Sequence, residues 1–214
     1  CVYHSRHPLL VRSAIEARLD RLLQREKPEA VFKDAEIRRL LDSDPATDHL
    51  FIVLATSVLE VGRDFDADWA ITEPSSMRAI IQLAGRVRRH RASFVTRPNM
   101  VLLDTNLRAL EHPGRPAFQR PGFESTDFAL TPSHCLTNLL RPEEADAIDA
   151  APRIVQRQPL APHTSLVDLE HDCLIAMMNG DGLQRVDVVR RWWETLSHYT
   201  AIEQNRTRFR RDAG

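Results

Sequence analysis

Along the first 110 residues the chain alternates between short apolar runs and longer stretches whose apolar positions recur every three or four residues. Each rhythm predicts a different element. Residues 1–4 read as a strand. Residues 9–24 read as a helix whose Leu10, Ala14, Leu19, Leu22 and Leu23 form an inward stripe, and 29–42 as a second helix closed off by Pro45. The run Leu50-Phe51-Ile52-Val53-Leu54 is too short for a typical helix and rich in branched and aromatic side chains. It predicts a strand over 50–55 buried on both faces. A short strand follows at 69–72 and another at 99–104. Between them Met77, Ile80, Ile81, Ala84 and Val87 mark one face of a helix over 75–90, with Ser75 or Ser76 available to cap it after Pro74. Strands alternating with helices imply an α/β fold with a parallel sheet covered by helices.

Past Glu111 the texture changes. His112-Pro113-Gly114 and Arg120-Pro121-Gly122 are turn-rich, while 165–178 and 186–202 read as helices separated by Asn179, Gly180, Asp181 and Gly182. The expected organisation is therefore a lobe over 1–110, a turn-rich connecting segment over 111–164 and a helical linker or accessory region over 165–214.

The chemistry-bearing residues gather on two of these elements. On a helix running through residue 90, Gln82 and Arg86 are i,i+4 neighbours and Arg86 and Arg89 are i,i+3 neighbours, so all three share one face. Guanidinium groups keep their charge and offer a planar fork to phosphate oxygens. Gly85 allows a ligand or a facing backbone to approach, at a helix cost of about 1 kcal/mol. The same residues also suit a solvated basic helix end that complements the helix dipole. The second element begins where the 50–55 strand ends. A parallel strand stopping at Thr56-Ser57 places hydroxyls and loop amides at the carboxyl edge of the sheet, where open α/β sheets bind ligands. Thr56 suits a nucleic-acid phosphate, Gly62 turns the chain, and Asp64 offers a carboxylate to a sugar hydroxyl. Read alone, the segment fits better with Ser57 as a helix cap and Asp64 and Asp66 as ordinary turn residues.

In this order and spacing the two segments resemble motifs V and VI of superfamily-2 helicases, and the start of the chain, Cys1-Val2-Tyr3-His4-Ser5-Arg6-His7-Pro8, resembles motif IV. Three further patterns narrow the likeness: His4-Ser5-Arg6, then Ala55-Thr56 with Glu60 and Asp64-Phe65-Asp66, then Gly85-Arg86-Val87 followed by Arg89-His90. Together they resemble the helicase part of the CRISPR-associated type I helicase-nuclease. The phrases over 102–111 and 116–124 are most similar to subtype I-F. The motif-bearing likeness covers about residues 1–110, and a looser one runs to the end.

The resemblance implies a second RecA-like lobe, a parallel sheet covered by helices and followed by a mostly helical extension. It implies ATP with Mg2+ in a cleft completed by a first lobe. Arg86 and Arg89 would be the catalytic pair, Gly62, Asp64, Gln82 and Gly85 would line the nucleotide, and Ser5, Arg6, Thr56 and Ser57 would touch nucleic acid. The implied partners are single-stranded DNA, the first RecA-like lobe, an HD nuclease domain with its transition metal outside this chain, and a CRISPR surveillance complex of the Cascade type. Phage anti-CRISPR inhibitor proteins are further candidates. The sequence has no G-x-x-x-x-G-K-[ST] phosphate loop and no Asp-Glu magnesium motif after a strand, and only 7 glycines in all. This piece is therefore expected to hydrolyse no ATP alone, and its opening in mid-strand without an initiator Met fits a fragment.

Composition adjusts this picture. A formal net charge of −1 is not the footprint of a free-standing nucleic-acid binder. Of the basic residues only Lys27 and Lys33 are lysines, and the arginines crowd at 86–97 and 185–211, away from the acidic stretch 143–149, so local patches can still meet phosphate. At 214 residues and 43% hydrophobic content, the chain can bury one core plus a smaller helical region. Cys1, Cys135 and Cys173 are too scattered for a disulfide framework or a zinc site. No apolar run approaches a membrane span, and a cytoplasmic setting is expected. His171-Asp172 spells the HD doublet but falls on an amphipathic pattern, so a helix-surface pair is expected and no metal is assigned to the chain. Ser133-His134-Cys135 is no triad, because adjacency in sequence does not bring a nucleophile to its base. Trp192 and Trp193 fit packing better than base stacking, and the Asn205 sequon carries no weight in the cytoplasm. The rival readings are a lobe of another superfamily-2 enzyme, such as an RNA helicase, and a non-catalytic RecA-like interaction module.

Overall fold

The computed structural model describes residues 1–43, 49–60, 64–91 and 95–179. The predicted helix over 186–202, Trp192, Trp193 and Gly62 lie outside them. The chain is mixed α/β with short parallel strands. Strand β1 (Val2–Tyr3) pairs in parallel with β2 (Leu54–Ala55), and β3 (Ala70–Thr72) with β4 (Met100–Leu102), giving two small sheets among the described residues.

Helix α1 (Leu9–Leu23) follows β1 and packs beneath it. Its inward face is Ile15, Leu19, Leu22 and Leu23; Leu10 is 84% exposed and Ala14 also points outward, which corrects the predicted stripe at its N-terminal end. Leu19 meets Tyr3 and Phe65 in a first, smaller core, and the Tyr3 hydroxyl donates to Glu16 at 2.8 Å. The predicted helix over 29–42 is two elements, a 3-10 turn (Pro28–Lys33) and α2 (Ala35–Ser43). Asp34 divides them: its backbone is extended, and its Oδ1 accepts from the Glu36 and Ile37 amides at 2.9 and 3.3 Å, which caps α2 afresh.

The apolar run at 50–54 departs from expectation in the same physical way. Only Leu54 and Ala55 pair as a strand, and Leu50, Ile52 and Leu54 are exposed, while Val53 packs on the Tyr3 core. Both residues of β2 are exposed among the described residues, which corrects the expected strand buried on both faces: of the run only Val53 packs inward.

The larger core gathers around α3 (Met77–Ala84). Met77 and Ile80 pack with Phe118, Leu130, Leu136, Leu139, Leu166, Val167 and Leu169, so residues from the turn-rich stretch and from α8 (Leu166–Asn179) share one apolar centre with α3. Helix α4 (Leu107–Glu111) and three single-turn helices, α5 (Leu136–Leu139), α6 (Pro142–Asp146) and α7 (Ala151–Ile154), punctuate the segment between. With little regular structure there, buried side chains serve the backbone. The Glu124 carboxylate accepts from the amides of Ala117 at 2.7 Å, Phe118 at 2.8 Å and Leu130 at 3.1 Å, and pairs with His134 at 2.8 Å. Asn106 caps α4 and donates to the Pro74 and Ala117 carbonyls, both at 3.1 Å.

Two stability consequences follow from how α3 is enclosed. A Cβ on Gly122 would fall well inside contact distance of the Ser75 and Phe118 carbonyl oxygens. Gly122→Ala should therefore cost about 2 kcal/mol by overpacking, measured as a lowered urea midpoint. The 3-10 turn Ser57–Glu60 packs against α3, and burial pushes the Glu60 carboxyl up to about 7 against the opposing pull of Arg78. Between its ordinary 4.5 and about 7 the folded chain keeps a proton that the unfolded chain has lost, so stability falls as pH rises through that window and then levels off. After allowance for solvent screening the loss is on the order of 1 kcal/mol. Glu60→Gln should be more stable than the wild type at about pH 8 and equal to it at about pH 4, in urea titrations at both.

Candidate functional site

The parallel register Val2↔Leu54 and Tyr3↔Ala55 makes β1 and β2 stop together, and the Thr56 amide donates to the Tyr3 carbonyl at 3.2 Å just past the pairing. The loops that follow therefore leave the same sheet edge. Ser5 and Arg6 stand on one, Thr56 and Ser57 on the other, and all four side chains are exposed. The first loop is shaped locally: the Arg6 amide donates to His4 Nδ1 at 3.1 Å, and the His4 and His7 rings stack 3.8 Å apart.

Helix α3 begins at Met77 with Ser76 as its cap, the Oγ accepting from the Ala79 amide at 3.0 Å, and it ends at Ala84 with Gly85 at its C-cap. The expectation of one helix through residue 90, with Gln82, Arg86 and Arg89 on a single face, is corrected here. Residues 86–88 give up the helical ladder for a parallel bridge, in which the Ala67 amide donates to the Arg86 carbonyl at 2.8 Å and the Arg88 amide to the Ala67 carbonyl at 2.9 Å. Arg88 takes a left-handed conformation, φ 53°, to make the turn. Gln82 stays on the last turn of α3, and Arg86 and Arg89 lie beyond it. A Cβ on Gly85 would meet only ordinary contacts, so nothing among the described residues requires glycine there.

The turn nonetheless assembles the predicted groups. Arg89 Nε lies 2.5 Å from Asp64 Oδ1, and His90 Nε2 lies 3.1 Å from Asp64 Oδ2. Asp64 thus faces the arginine turn while its side chain stays exposed. Arg86 donates from Nη2 to the Glu60 carbonyl at 3.3 Å, while its Nε is buried and finds no acceptor among the described residues. Burial, then the neighbouring Arg89 guanidinium, pull the Arg86 pKa below its usual value, with Asp64 opposing. An arginine poor in acceptors beside a second arginine is a place that would welcome an anion.

Sequence reasoning missed the clamp that holds this turn. Asp66 is fully buried and accepts from Arg91 Nε at 3.2 Å, from Arg91 Nη2 at 2.7 Å and from the His90 amide at 3.2 Å, and Arg91 also reaches Asp68 and the Ala67 carbonyl. The signal was the equal two-residue spacing of Asp64 and Asp66 against Arg89 and Arg91, which lets two carboxylates meet two guanidinium groups in step. The His171-Asp172 doublet is helical, with the His171 ring bonded to the Pro152 carbonyl at 2.8 Å. No group of three or more His, Cys, Asp or Glu side chains among the described residues is placed to hold a metal ion, and no described helix is long and apolar enough to cross a membrane.

Residues 1–92 match the family model for the C-terminal region of the CRISPR-associated nuclease/helicase Cas3. The whole chain aligns with two proteins named CRISPR-associated nuclease/helicase Cas3 subtype I-F/YPEST. The one from Pseudomonas aeruginosa strain UCBPP-PA14 is 52% identical over 216 residues, and the one from Pectobacterium atrosepticum strain SCRI 1043 is 46% identical over 222. The alignment takes in 100% of this chain and 20% of each relative. The chain belongs to the subtype I-F nuclease/helicase Cas3 family, as a segment spanning about a fifth of the length of the curated relatives it matches.

Proposed function

We propose that this chain is the second RecA-like lobe of an ATP-driven translocase that moves on single-stranded DNA and delivers it to a nuclease in type I CRISPR interference. The observation that carries the reading is the convergence of Arg86, Arg89 and Asp64 on a turn joined, through the four residues Ser57–Glu60, to the loop edge bearing Ser5, Arg6, Thr56 and Ser57. The name of the matched relatives, nuclease/helicase, supports a motor and leaves its track unnamed.

In this reading ATP with Mg2+ sits between this lobe and a first lobe that carries the phosphate loop. Bound ATP supplies the phosphoanhydride whose cleavage drives the step. Arg86 and Arg89 neutralise charge growing on the transferring phosphoryl group, and Arg89 exchanges Asp64 for phosphate to do so. Gln82 and Gly85 face the same cleft in this reading. The exposed hydroxyls and guanidinium at 5, 6, 56 and 57 hold successive backbone phosphates, contacts that position a strand without reading its sequence. The HD nuclease domain and its transition metal, a Cascade-type surveillance complex and phage inhibitors belong to the whole protein. The lobe alone, without a phosphate loop, turns over no ATP.

ATP hydrolysis by the full-length protein, with single-stranded DNA, with RNA and with neither, tests this. Stimulation by DNA supports the reading. Stimulation by RNA alone would make it the lobe of an RNA helicase, and no hydrolysis by any form would leave an interaction module. Arg86→Ala and Arg89→Ala should each lower the DNA-stimulated rate by about 10³-fold or more. Because the Arg89–Asp64 pair is solvent-exposed, Arg89→Ala should shift the unfolding free energy by less than about 1 kcal/mol.

A further inference from the structure

The start of α3 is held by a residue far from it in sequence. Its first turn leaves backbone amides without helical acceptors, and Ser76 takes only that of Ala79. The amides of Met77 and Arg78 donate to the Glu170 carboxylate, the latter at 3.4 Å, from a position 93 residues beyond Met77 on α8. Glu170 is fully buried, and its other oxygen accepts from Arg153 Nη1 at 2.6 Å, on α7. Arg153 and Arg78 both lie over the Phe123 ring, at 6.0 and 5.2 Å, and Arg78 donates to the Pro121 carbonyl at 2.8 Å. Burial raises the Glu170 pKa, while Arg153 and the two amides oppose it.

The Arg153–Glu170 ion pair by itself contributes little net stability. The carboxylate also accepts from two helix amides that an apolar side chain could not serve, and those bonds together fix one geometry. The carboxylate must stay with its amides and with Arg153, because a buried charge without partners is costly. It therefore sets the position of α3 along its own axis. The helix is only eight residues long, about 12 Å, and the chain passes from its end straight into the turn of Arg86 and Arg89.

We propose that Glu170 is a positioning residue for the arginine pair: by pinning the first turn of α3 against α7 and α8, it sets where Arg86 and Arg89 stand at the helix's other end. This rests on the nucleotide reading above. Groups that act on charge developing in the transition state govern kcat, so a displaced arginine pair lowers kcat and spares KM.

The test uses the full-length protein and steady-state ATP hydrolysis with single-stranded DNA. Glu170→Gln keeps the size and one acceptor for the amides but loses the charge facing Arg153. The double variant Glu170→Gln/Arg153→Met removes the guanidinium so stranded and secures folding if the single variant is unstable. Both should lower kcat by about tenfold with KM for ATP within about twofold of wild type, and the double variant should recover the thermal midpoint without recovering kcat. Wild-type kcat in both variants, or kcat returning in step with the midpoint, would overturn the proposal. Arg86→Ala in the same assay separates the two levels. If it abolishes turnover while Glu170→Gln does not, only the positioning role falls; if it leaves turnover intact, the nucleotide reading falls and takes this inference with it.

Discussion

The amides at the start of α3 point into a place where water cannot serve them, and much of the molecule is arranged around answering that. Ser76 supplies one acceptor locally and Glu170 supplies the rest from α8, with Arg153 of α7 balancing the imported charge. For the carboxylate to arrive, the stretch between α4 and α8 must fold back over α3. The apolar core of Met77, Ile80, Phe118, Leu130, Leu136 and Leu166 is the hydrophobic side of that return. Glu124 and Asn106 then satisfy the irregular backbone that the return requires. The chain thus tolerates a long stretch with little regular structure because a few buried polar side chains take over the work of a sheet or helix ladder.

At the other end of α3, two aspartate–arginine pairs that look alike in sequence differ in what they can do. Asp66–Arg91 is buried and made by several hydrogen bonds, so breaking it strands a charge in a poor solvent. Asp64–Arg89 lies in solvent, where an ion pair contributes at most about 1 kcal/mol. The first holds the turn in place, and the second is the pair that, on the nucleotide reading proposed above, is given up for phosphate. A turn held tightly at Arg91 and loosely at Arg89 suits that proposal.

The sequence predicted elements well wherever a local rule decided the outcome. β1, α1, β3, β4 and α8 stand close to their expected positions, and Ser76 caps α3 as its residue type suggests. It failed where a non-local bond competed with a local pattern. Val87 continues the apolar period of α3, yet the backbone there pairs with Ala67, which no count of helical positions could foresee. Asp34 was hidden inside a plausible helix because its capping role depends on a side-chain geometry and not on composition. The candidate site was legible as a set of residues, Arg86, Arg89, Asp64, Ser5, Arg6, Thr56 and Ser57, but not as an arrangement. The buried partners Asp66, Arg91 and Glu170 carry no signal beyond their charge until the fold places them.

Four residues join the two halves of the candidate site. The turn Ser57–Glu60 starts at the exposed hydroxyls on the sheet edge and ends at the carbonyl that receives Arg86, and α3 packs along it. A four-residue 3-10 turn has few soft dihedrals, and the β1–β2 register fixes one of its ends while the arginine turn fixes the other. A shift of Thr56 and Ser57 must therefore be taken up either by Glu60, moving the Arg86 contact, or by α3, moving against the Glu170 anchor. Since the anchor is buried and the Glu60–Arg86 contact is a single 3.3 Å hydrogen bond, the cheaper displacement is at Arg86. On the reading proposed above, a pull on the sheet-edge loops is felt first at Arg86, whose buried Nε has no acceptor among the described residues.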